Sequence, residues 1–433
     1  MKSSIFNFQS STNRGQAIFF AAIFFLAISL TMTLGIVVPV ENGVLATRAL
    51  ARGNQSFFAA EAAAQDVSYR LMNGLSVDAV EVLTLGGASA VATTTTTANG
   101  KEITSAGTND NFVRKSKTTL TSGTGAAFYY GVQVGAGGIV LENSSSILGN
   151  IYSNGAVDGS GSNLIKGDVV SAGADGLVDG IHATSSVYAH TIQNSTADKD
   201  AYYQVISGST VIGTSHSGSA DQSTTTLPIS DAQIAQWESD AAAGGIIASP
   251  CPYKITDTAT IGSKKIVCDM EISGTGYTLT LTGPLWIQGT LTIKNSPTIK
   301  IASSLGGASV ALIADNSANR TTGSKIASGN SAVFEGSGTS GSFVLLVSQN
   351  RSAEDGGGEE AITFANGTSG AILAYAGHGE ILMQNSVKLK EVTAYRIRLK
   401  NSAEVKYETG LANLLFTAGP SGGYTLDGWK EVE

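Results

Sequence analysis

The chain is long, acidic and poor in charge. It has 433 residues and a formal net charge of −8, and only 14% of its residues are charged, against about 25% in typical globular proteins. Nucleic-acid-binding domains usually carry a basic face, so we expect no nucleic-acid partner. Gly accounts for 52 residues, roughly 12% against a usual ~7%. Together with abundant Ser, Thr and β-branched residues, this composition favours short strands joined by tight turns.

Near the N-terminus, 26 residues from Gly15 to Val40 contain no charged side chain. As a helix this run would span roughly 39 Å, which exceeds the ~30 Å hydrocarbon core of a bilayer. No small-x-small pair follows the run, as it would after a removable secretory signal. The run therefore predicts a membrane-inserted helix, with Ala17 to Val38 as the anchor.

Charges around the run predict its orientation. Lys2 and Arg14 precede it, and the first 14 residues contain no acid. Positive charge holds the N-terminus on the cytoplasmic side. We expect a single-pass protein of the cytoplasmic membrane with its C-terminal region outside the cell.

An 18-residue repeat follows in the first half of the chain. The segments GVQVGAG, GNIYSNG, GDVVSAG and SSVYAHT begin at residues 131, 149, 167 and 185. Superimposing them aligns two columns, one of Gln133, Ile151, Val169 and Val187, the other of Ile147, Ile165 and Ala183. A unit this short cannot bury its own apolar residues and must stack on the next. The period predicts a right-handed parallel β-helix, with a first coil that is shifted or capped because Gln133 interrupts its column.

A second pattern predicts the corners between strands. Asn-Ser followed by alternating apolar and polar residues occurs at Asn295, Asn385 and Asn401, and Asn143 begins a similar segment. Asn tolerates the left-handed backbone conformation and hydrogen-bonds its own backbone, which suits a tight corner. Stacked corners would place Asn above Asn, so that the amides form a ladder.

A short helix interrupts the repeats. Ser230 and Gln233 have the spacing of a capping box, which predicts a helix over residues 231–243. Ile234 and Trp237 are expected to pack inward on the β-helix.

With these patterns, composition divides the chain into eight segments. These are a basic leader (1–14), a transmembrane or pilin-like helix (15–40), an amphipathic helical continuation ending near Asn73-Gly74 (41–75), a Thr-, Gly- and Ala-rich linker or edge (76–111), a first β-helix part (112–220), an excursion with a short helix (221–249), a second β-helix part (250–418) and a C-terminal tail (419–433).

Cys251 and Cys268 are the two cysteines of the chain. An exported setting favours a disulfide, which would stabilise the fold by about 3 kcal/mol. The alternative is two buried thiols. Metal binding is disfavoured because two Cys without a nearby His form an incomplete site.

The sequence motifs give little support for catalysis or metal binding. Gly377-His378-Gly379 and Arg396-Ile397-Arg398 resemble a fragment of the polygalacturonase pattern, but the Asn-Thr-Asp and Asp-Asp pairs of that pattern are absent. Glycoside hydrolysis needs two carboxylates across one bond. The Asp- and Gly-rich turns at 158–163 and 173–180 match no calcium loop, and His182 with His190 lacks further zinc ligands. We expect no catalytic residues, no metal and no cofactor.

The first 75 residues resemble the start of a type IV pilin-like protein, most closely the PilX-like minor pilins. The resemblance rests on a short basic leader, on Arg14-Gly15 before the apolar run, and on the segment FFAAEAAAQDVSYRL at 57–71. It implies cleavage between Gly15 and Gln16 by a prepilin peptidase, and packing of the helix with other pilin-like subunits. Phe20 stands where major pilins carry a Glu.

These features predict a pilus-associated or membrane-anchored structural or adhesive protein that displays a β-helix outside the cell. Its partners would be the membrane, pilin-like subunits and a surface glycan or host ligand. The alternatives are a membrane-tethered polysaccharide-active β-helix enzyme and an uncleaved envelope protein unrelated to pili.

Overall fold

The computed structural model describes residues 14–72, 77–97, 100–126, 128–408, 411, 414–415 and 421–432. The chain is mainly β, with one long apolar helix at its N-terminal end, and this part of the predicted fold is confirmed. The predicted leader, apart from Arg14, and the predicted helix stop at Asn73-Gly74 lie outside the described residues.

The long helix α1 (Arg14–Met72) has 59 residues and continues through Pro39. Its halves differ in what they touch. Its most apolar 18-residue window has no buried residue. In the C-terminal half, Ala59, Ala63, Ala64 and Val67 are buried. Their spacing of i, i+4, i+5 and i+8 places them on one face of the helix.

That face packs on a six-stranded antiparallel sheet. The strands are β1 (Val80–Leu85), β2 (Ala88–Thr97), β3 (Gly100–Asn109), β4 (Phe112–Ala126), β39 (Leu414–Leu415) and β40 (Ser421–Val432). Ala88, Ala90 and Ala92 alternate along β2 and are buried together with Ile103 and Leu120 in one cluster with α1. Small side chains on both layers let the helix approach the sheet closely.

This sheet corrects three predicted boundaries. The linker or edge predicted at 76–111 is corrected, because residues 80–85, 88–97 and 100–109 form three paired strands. The β-helix start at 112 is wrong, because 112–126 forms β4 of the antiparallel sheet. The tail at 419–433 is wrong, because 421–432 pairs with β4. Thr-rich segments have high β propensity, and these gain their burial from α1, which composition alone does not show.

The rest of the chain forms parallel strands in three columns, here called the parallel stack. One column is a 12-stranded sheet made of β6 (Ser146–Leu148), β9 (Leu164–Ile165), β12 (His182–Ala183), β15 (Thr196–Ala197), β18 (Thr210–Val211), β22 (Ala259–Ile261), β25 (Thr278–Leu281), β28 (Thr298–Ile301), β31 (Val333–Glu335), β34 (Ser369–Gly370), β36 (Lys388–Leu389) and β38 (Glu404–Lys406).

The other two columns belong to one 22-stranded sheet, because three long strands run through both. These are β5 (Val132–Glu142), β35 (Ile372–Gln384) and β37 (Glu391–Lys400). The second column adds β7 (Ile151–Ser153), β10 (Val169–Ser171), β13 (Val187–Tyr188), β16 (Ala201–Tyr203), β19 (Ser215–Ser217), β20 (Ile246–Ile247), β23 (Lys264–Ile266), β26 (Leu285–Ile287), β29 (Val310–Ala314) and β32 (Val344–Ser348). The third column adds β8 (Val157–Ser160), β11 (Leu177–Asp179), β14 (Thr191–Gln193), β17 (Val205–Ser207), β21 (Tyr253–Ile255), β24 (Met270–Ser273), β27 (Leu291–Lys294), β30 (Ile326–Ser328) and β33 (Glu360–Phe364). A short 3-10 helix lies at Ser303–Leu305.

The strand register confirms the 18-residue period where the repeat was read. Ile151 pairs with Val169, and Val169 pairs with Val187. The first coil is shifted, as Gln133 indicated, because Val132 rather than Gln133 pairs with Ile151. Beyond Val187 the spacing shortens to 14 residues, with Ala201 and then Ser215 next in register.

The two halves of the stack are joined in an order opposite to that of the sequence. The last coil of the second half packs on the first coil of the first half, because β37 pairs with β5 and β38 pairs with β6. The free ends of the stack are therefore residues 205–217 and 246–261. One continuous core of inward-facing aliphatic residues runs through both halves.

A connecting segment, residues 218–245, runs back along the outside of the stack and is here called the strap. It is hydrogen-bonded to three coils, because its backbone oxygens at Thr225, Thr226 and Ile229 accept hydrogen bonds from Asn154, Gln133 and Tyr375. Helix α2 (Asp231–Ala243) ends the strap and begins with the predicted capping box at Ser230 and Gln233. The predicted packing is also confirmed, since Ile234 and Trp237 are buried in a cluster with β29 and β32.

We expect Gly107→Val to separate α1 from the sheet. A Cβ added at Gly107 would lie 1.9 Å from the Ser56 backbone oxygen, so helix or strand must move, at a cost of about 1–3 kcal/mol. Gly428→Val is the matched control, because no atom lies within 4 Å of its added Cβ. Thermal unfolding of the purified chain in detergent measures the difference. Equal melting temperatures for the two variants would contradict this packing.

Candidate assembly and display site

The N-terminal half of α1 is an extended apolar surface. Its aromatic and aliphatic side chains are mostly exposed, with Phe24 at 70% and Phe25 at 73%. Contiguous exposed apolar surface of this size marks contact with a membrane or with other proteins. The helix is long and apolar enough to cross a membrane. Gly15 and Gln16 lie in its first turn.

Charged contacts mark where α1 reaches the antiparallel sheet. Arg52 Nη1 lies 3.0 Å from Asp110 Oδ2, in the turn between β3 and β4. Arg70 pairs with Asp66 on the helix and with Glu81 on β1, at 2.9 Å for the latter. The exposed Arg52–Asp110 pair contributes little stability, and the Arg70–Glu81 pair is partly buried. The two pairs tie the C-terminal half of α1 to the sheet.

The second feature is a ladder of Asn side chains on the parallel stack. All four predicted corner residues, Asn143, Asn295, Asn385 and Asn401, have φ between 51° and 65°. The amide of Asn143 donates to Asn401 at 3.1 Å, and that of Asn401 donates to Asn385 at 3.0 Å. The ladder crosses the junction between the two halves of the stack and fixes the coils in register there.

Sequence reasoning missed two members of this ladder, Asn330 and Asn366. Asn385 donates to Asn366 at 3.1 Å, and Asn366 donates to Asn330 at 3.3 Å. Asn330 is followed by Ser and Asn366 by Gly, which are the turn dipeptides that reveal such corners. Asn295 lies at the next corner, where Ser296 bonds the Asn330 backbone oxygen.

Cys251 and Cys268 are bridged, with their Cα atoms 5.9 Å apart. The bridge lies at the 246–261 end of the stack, where β21 pairs with β24. It ties the terminal coil to its neighbour.

The histidines weighed for zinc each face a single carboxylate. His182 Nε2 lies 3.0 Å from Asp198, and His190 Nδ1 lies 3.2 Å from Asp221. Among the described residues no cluster of three or more His, Cys, Asp or Glu side chains is arranged to hold a metal ion. The segments 158–163 and 173–180 include parts of β8 and β11, which are paired on neighbouring coils, and the turns beside them.

His378 has two acidic partners that sequence reasoning did not find. Its Nδ1 lies 2.6 Å from Glu354 Oε2, and its Nε2 lies 3.0 Å from Asp231 Oδ1. Asp231 belongs to the first turn of α2, so His378 connects the strap to a loop of the stack. The three residues are 147 and 24 positions apart in sequence, and no local pattern joins them.

The two arginines of the Arg396-Ile397-Arg398 segment share Glu380. Arg396 Nε lies 2.6 Å and Arg398 Nη2 3.1 Å from that carboxylate, whose side chain is 8% exposed. Glu360 lies 3.5 Å from Arg398. Glu380, Arg396 and Arg398 line a small cavity of about 230 Å³ together with Val140. Charge is balanced within the group.

Glu238 provides a titratable contact between α2 and the stack. It is 9% exposed, and burial first, then the nearby Asp315 carboxylate, raise its pKa to about 8. Asp315 is itself held by Arg320, whose Nε and Nη2 lie 2.7 and 2.6 Å from its two oxygens. Glu238 is therefore protonated at neutral pH and can share its proton with Asp315.

No protein-family model matches the chain, and no curated protein matches it. Among solved structures, the crystal structure of the competence-associated pilin ComZ from Thermus thermophilus aligns with 88% of this chain and 97% of its own, at 11% identity and a TM-score of 0.34. Similarity at that level assigns no function.

We expect Asn401→Ala to destabilise the stack by about 3–4 kcal/mol, because two amide hydrogen bonds are lost and the left-handed conformation becomes strained. Ala in the left-handed conformation costs roughly 1–2 kcal/mol, and each lost amide hydrogen bond adds about 1 kcal/mol. Asn401→Gly is the matched control, since Gly adopts that conformation freely and loses only the hydrogen bonds. Chemical denaturation gives both values. If the Ala variant were as stable as the Gly variant, the left-handed corner conformation would be shown to be unimportant for stability.

The Glu238 contact predicts a pH dependence of stability. The folded chain holds a proton with a pKa of about 8 that the unfolded chain releases near 4.5. The contribution is therefore complete below pH 4.5 and is lost as the pH rises through about 8. Glu238→Gln should remove this dependence, so that the wild type loses more stability than the variant between pH 5 and 9. If the melting temperatures of the wild type and the variant changed equally with pH over that range, the assignment to Glu238 would be contradicted.

Proposed function

We propose that the protein is a type IV pilus-associated, minor-pilin-like subunit. In this proposal α1 inserts in the cytoplasmic membrane or in a filament core, with the N-terminus inside. The parallel stack is a right-handed parallel β-helix displayed outside the cell, and its role is structural or adhesive.

The observation that carries the proposal is the division of α1 into two surfaces. One continuous helix has an apolar N-terminal half without buried residues and an Ala-rich C-terminal half packed on a sheet. A helix that served only the fold would bury its most apolar part. Here the most apolar part faces outward, as a subunit held by membrane or neighbouring helices requires.

The β-helix proposal is supported by the three columns of parallel strands and their single core. Twelve strands share one column, and neighbouring strands are ~4.8 Å apart, so the stack would be roughly 60 Å long. Its corners expose Asn and Ser side chains. Such repeated polar surfaces suit a surface glycan or another protein as ligand.

The enzyme alternative has one specific observation in its favour, the two carboxylates beside His378. We propose that they are structural, because both hydrogen-bond to the imidazole that joins Asp231 of α2 to Glu354. Acids engaged in this way are not free to act across a glycosidic bond. Glu354→Gln and Asp231→Asn should therefore weaken the contact between the strap and the stack. If the protein cleaves any polysaccharide, neither substitution should abolish that cleavage.

The N-terminus of the native protein provides the test. Mass spectrometry of material from cell membranes and sheared surface filaments should show a chain that begins at Gln16. A Gly15→Arg variant is the control, because it removes the residue after which a prepilin peptidase would cut, and should retain Met1. Mature wild-type protein that begins at Met1 would contradict the pilin proposal and favour an uncleaved envelope protein.

A further inference from the structure

The two ends of the parallel stack leave the core incompletely covered. Ile206 and Val211 at the 205–217 end are only partly buried. Ile247 and Ala259 are likewise partly buried at the 246–261 end. The residues paired with these four on the next inner coil are buried, with 0–3% exposure. In the same order they are Ile192, Ala197, Ile266 and Leu279. The core is therefore open at both ends in a single chain.

The terminal strands also have open edges. Within the part of the chain that the structure describes, β17, β18 and β19 each pair with one neighbour, in the direction of the inner coils. The same holds for β20, β21 and β22 at the other end. Soluble proteins usually cover such edges, because unpaired strands recruit further strands.

The chain itself shows what fits on a coil end. At the junction of its halves, β37 packs on β5 and β38 on β6, although these strands are more than 200 residues apart in sequence. The contact consists of parallel pairing, continuous aliphatic core and the Asn401–Asn143 hydrogen bond. Coil ends of this protein therefore dock without covalent continuity, through features that each coil repeats.

We propose that the 205–217 end of one copy docks on the 246–261 end of a second copy. In that arrangement β19 pairs with β20, β17 with β21 and β18 with β22 of the neighbouring molecule. Val211 would then pack on Ala259, and the aliphatic core would continue from one chain into the next. The contact is head-to-tail, so it can extend to a chain of molecules. This inference rests on the strand pairing alone and is independent of leader cleavage.

Cysteine cross-linking tests the contact directly. Thr210 on β18 and Thr258, just before β22, are exposed beside Val211 and Ala259, and residues opposed on neighbouring strands have a Cα separation that permits a disulfide. The full-length variant Thr210→Cys/Thr258→Cys in detergent should give reducible dimers and higher multimers on oxidation. Thr210→Cys/Val333→Cys is the control, because Val333 lies on an inner coil of the same column.

The proposal would be overturned if the control variant cross-linked to the same extent. It would also be overturned if the variant with cysteines at the two ends stayed monomeric on oxidation.

A mixing experiment distinguishes head-to-tail docking from contact between identical ends. Val211→Asp and Ala259→Asp each place a charge at one end, and sedimentation should show at least tenfold weaker self-association for either alone. An equimolar mixture should recover 1:1 dimers, because each variant keeps one intact end. Val333→Asp should behave as wild type. Head-to-tail docking would be refuted if the wild type and the end variants sedimented alike. It would also be refuted if mixing the two end variants produced no dimers.

Discussion

Each coil of the parallel stack is too small to bury its own apolar side chains, and this constraint governs the structure. Inward aliphatic side chains, such as those of Val169 and Val187, become buried only when the next coil covers them. Stability must therefore come from contact between coils, so register has to be fixed at each step. The left-handed Asn corners and their amide ladder supply that register at the surface.

The same constraint explains the connection between the halves. The first half ends at Ser217, and the chain returns along the outside of the stack before starting the second half at Ile246. The strap crosses several coils and accepts hydrogen bonds from three of them through its backbone oxygens. Trp237 packs in a second cluster outside the main core. The hydrogen bond from Tyr375 and the buried Glu238 hold the strap in place. The stack is thus closed by packing in its middle and open at both ends.

Local patterns predicted part of this architecture. The period of Ile151, Val169 and Val187, the Asn-Ser corners and the α2 capping box each depend on a few neighbouring residues, and each is present in the structure. The antiparallel sheet was missed because the Thr-rich segment 93–97 carries no apolar alternation, although Ala88, Ala90 and Ala92 just before it do. The Asp231–His378–Glu354 contact and the reversed order of the halves depend on residues far apart in sequence, and no spacing rule reveals them.

The most direct test of the account is the junction between the halves. Ser146 pairs with Glu404 across it, so oxidation of a Ser146→Cys/Glu404→Cys variant, followed by peptide mapping, reports whether the two coils meet. The account predicts a disulfide within one chain, formed in monomeric protein beside the existing Cys251–Cys268 bridge. Absence of that link, or its formation only between two chains, would contradict the stacking of the second half on the first.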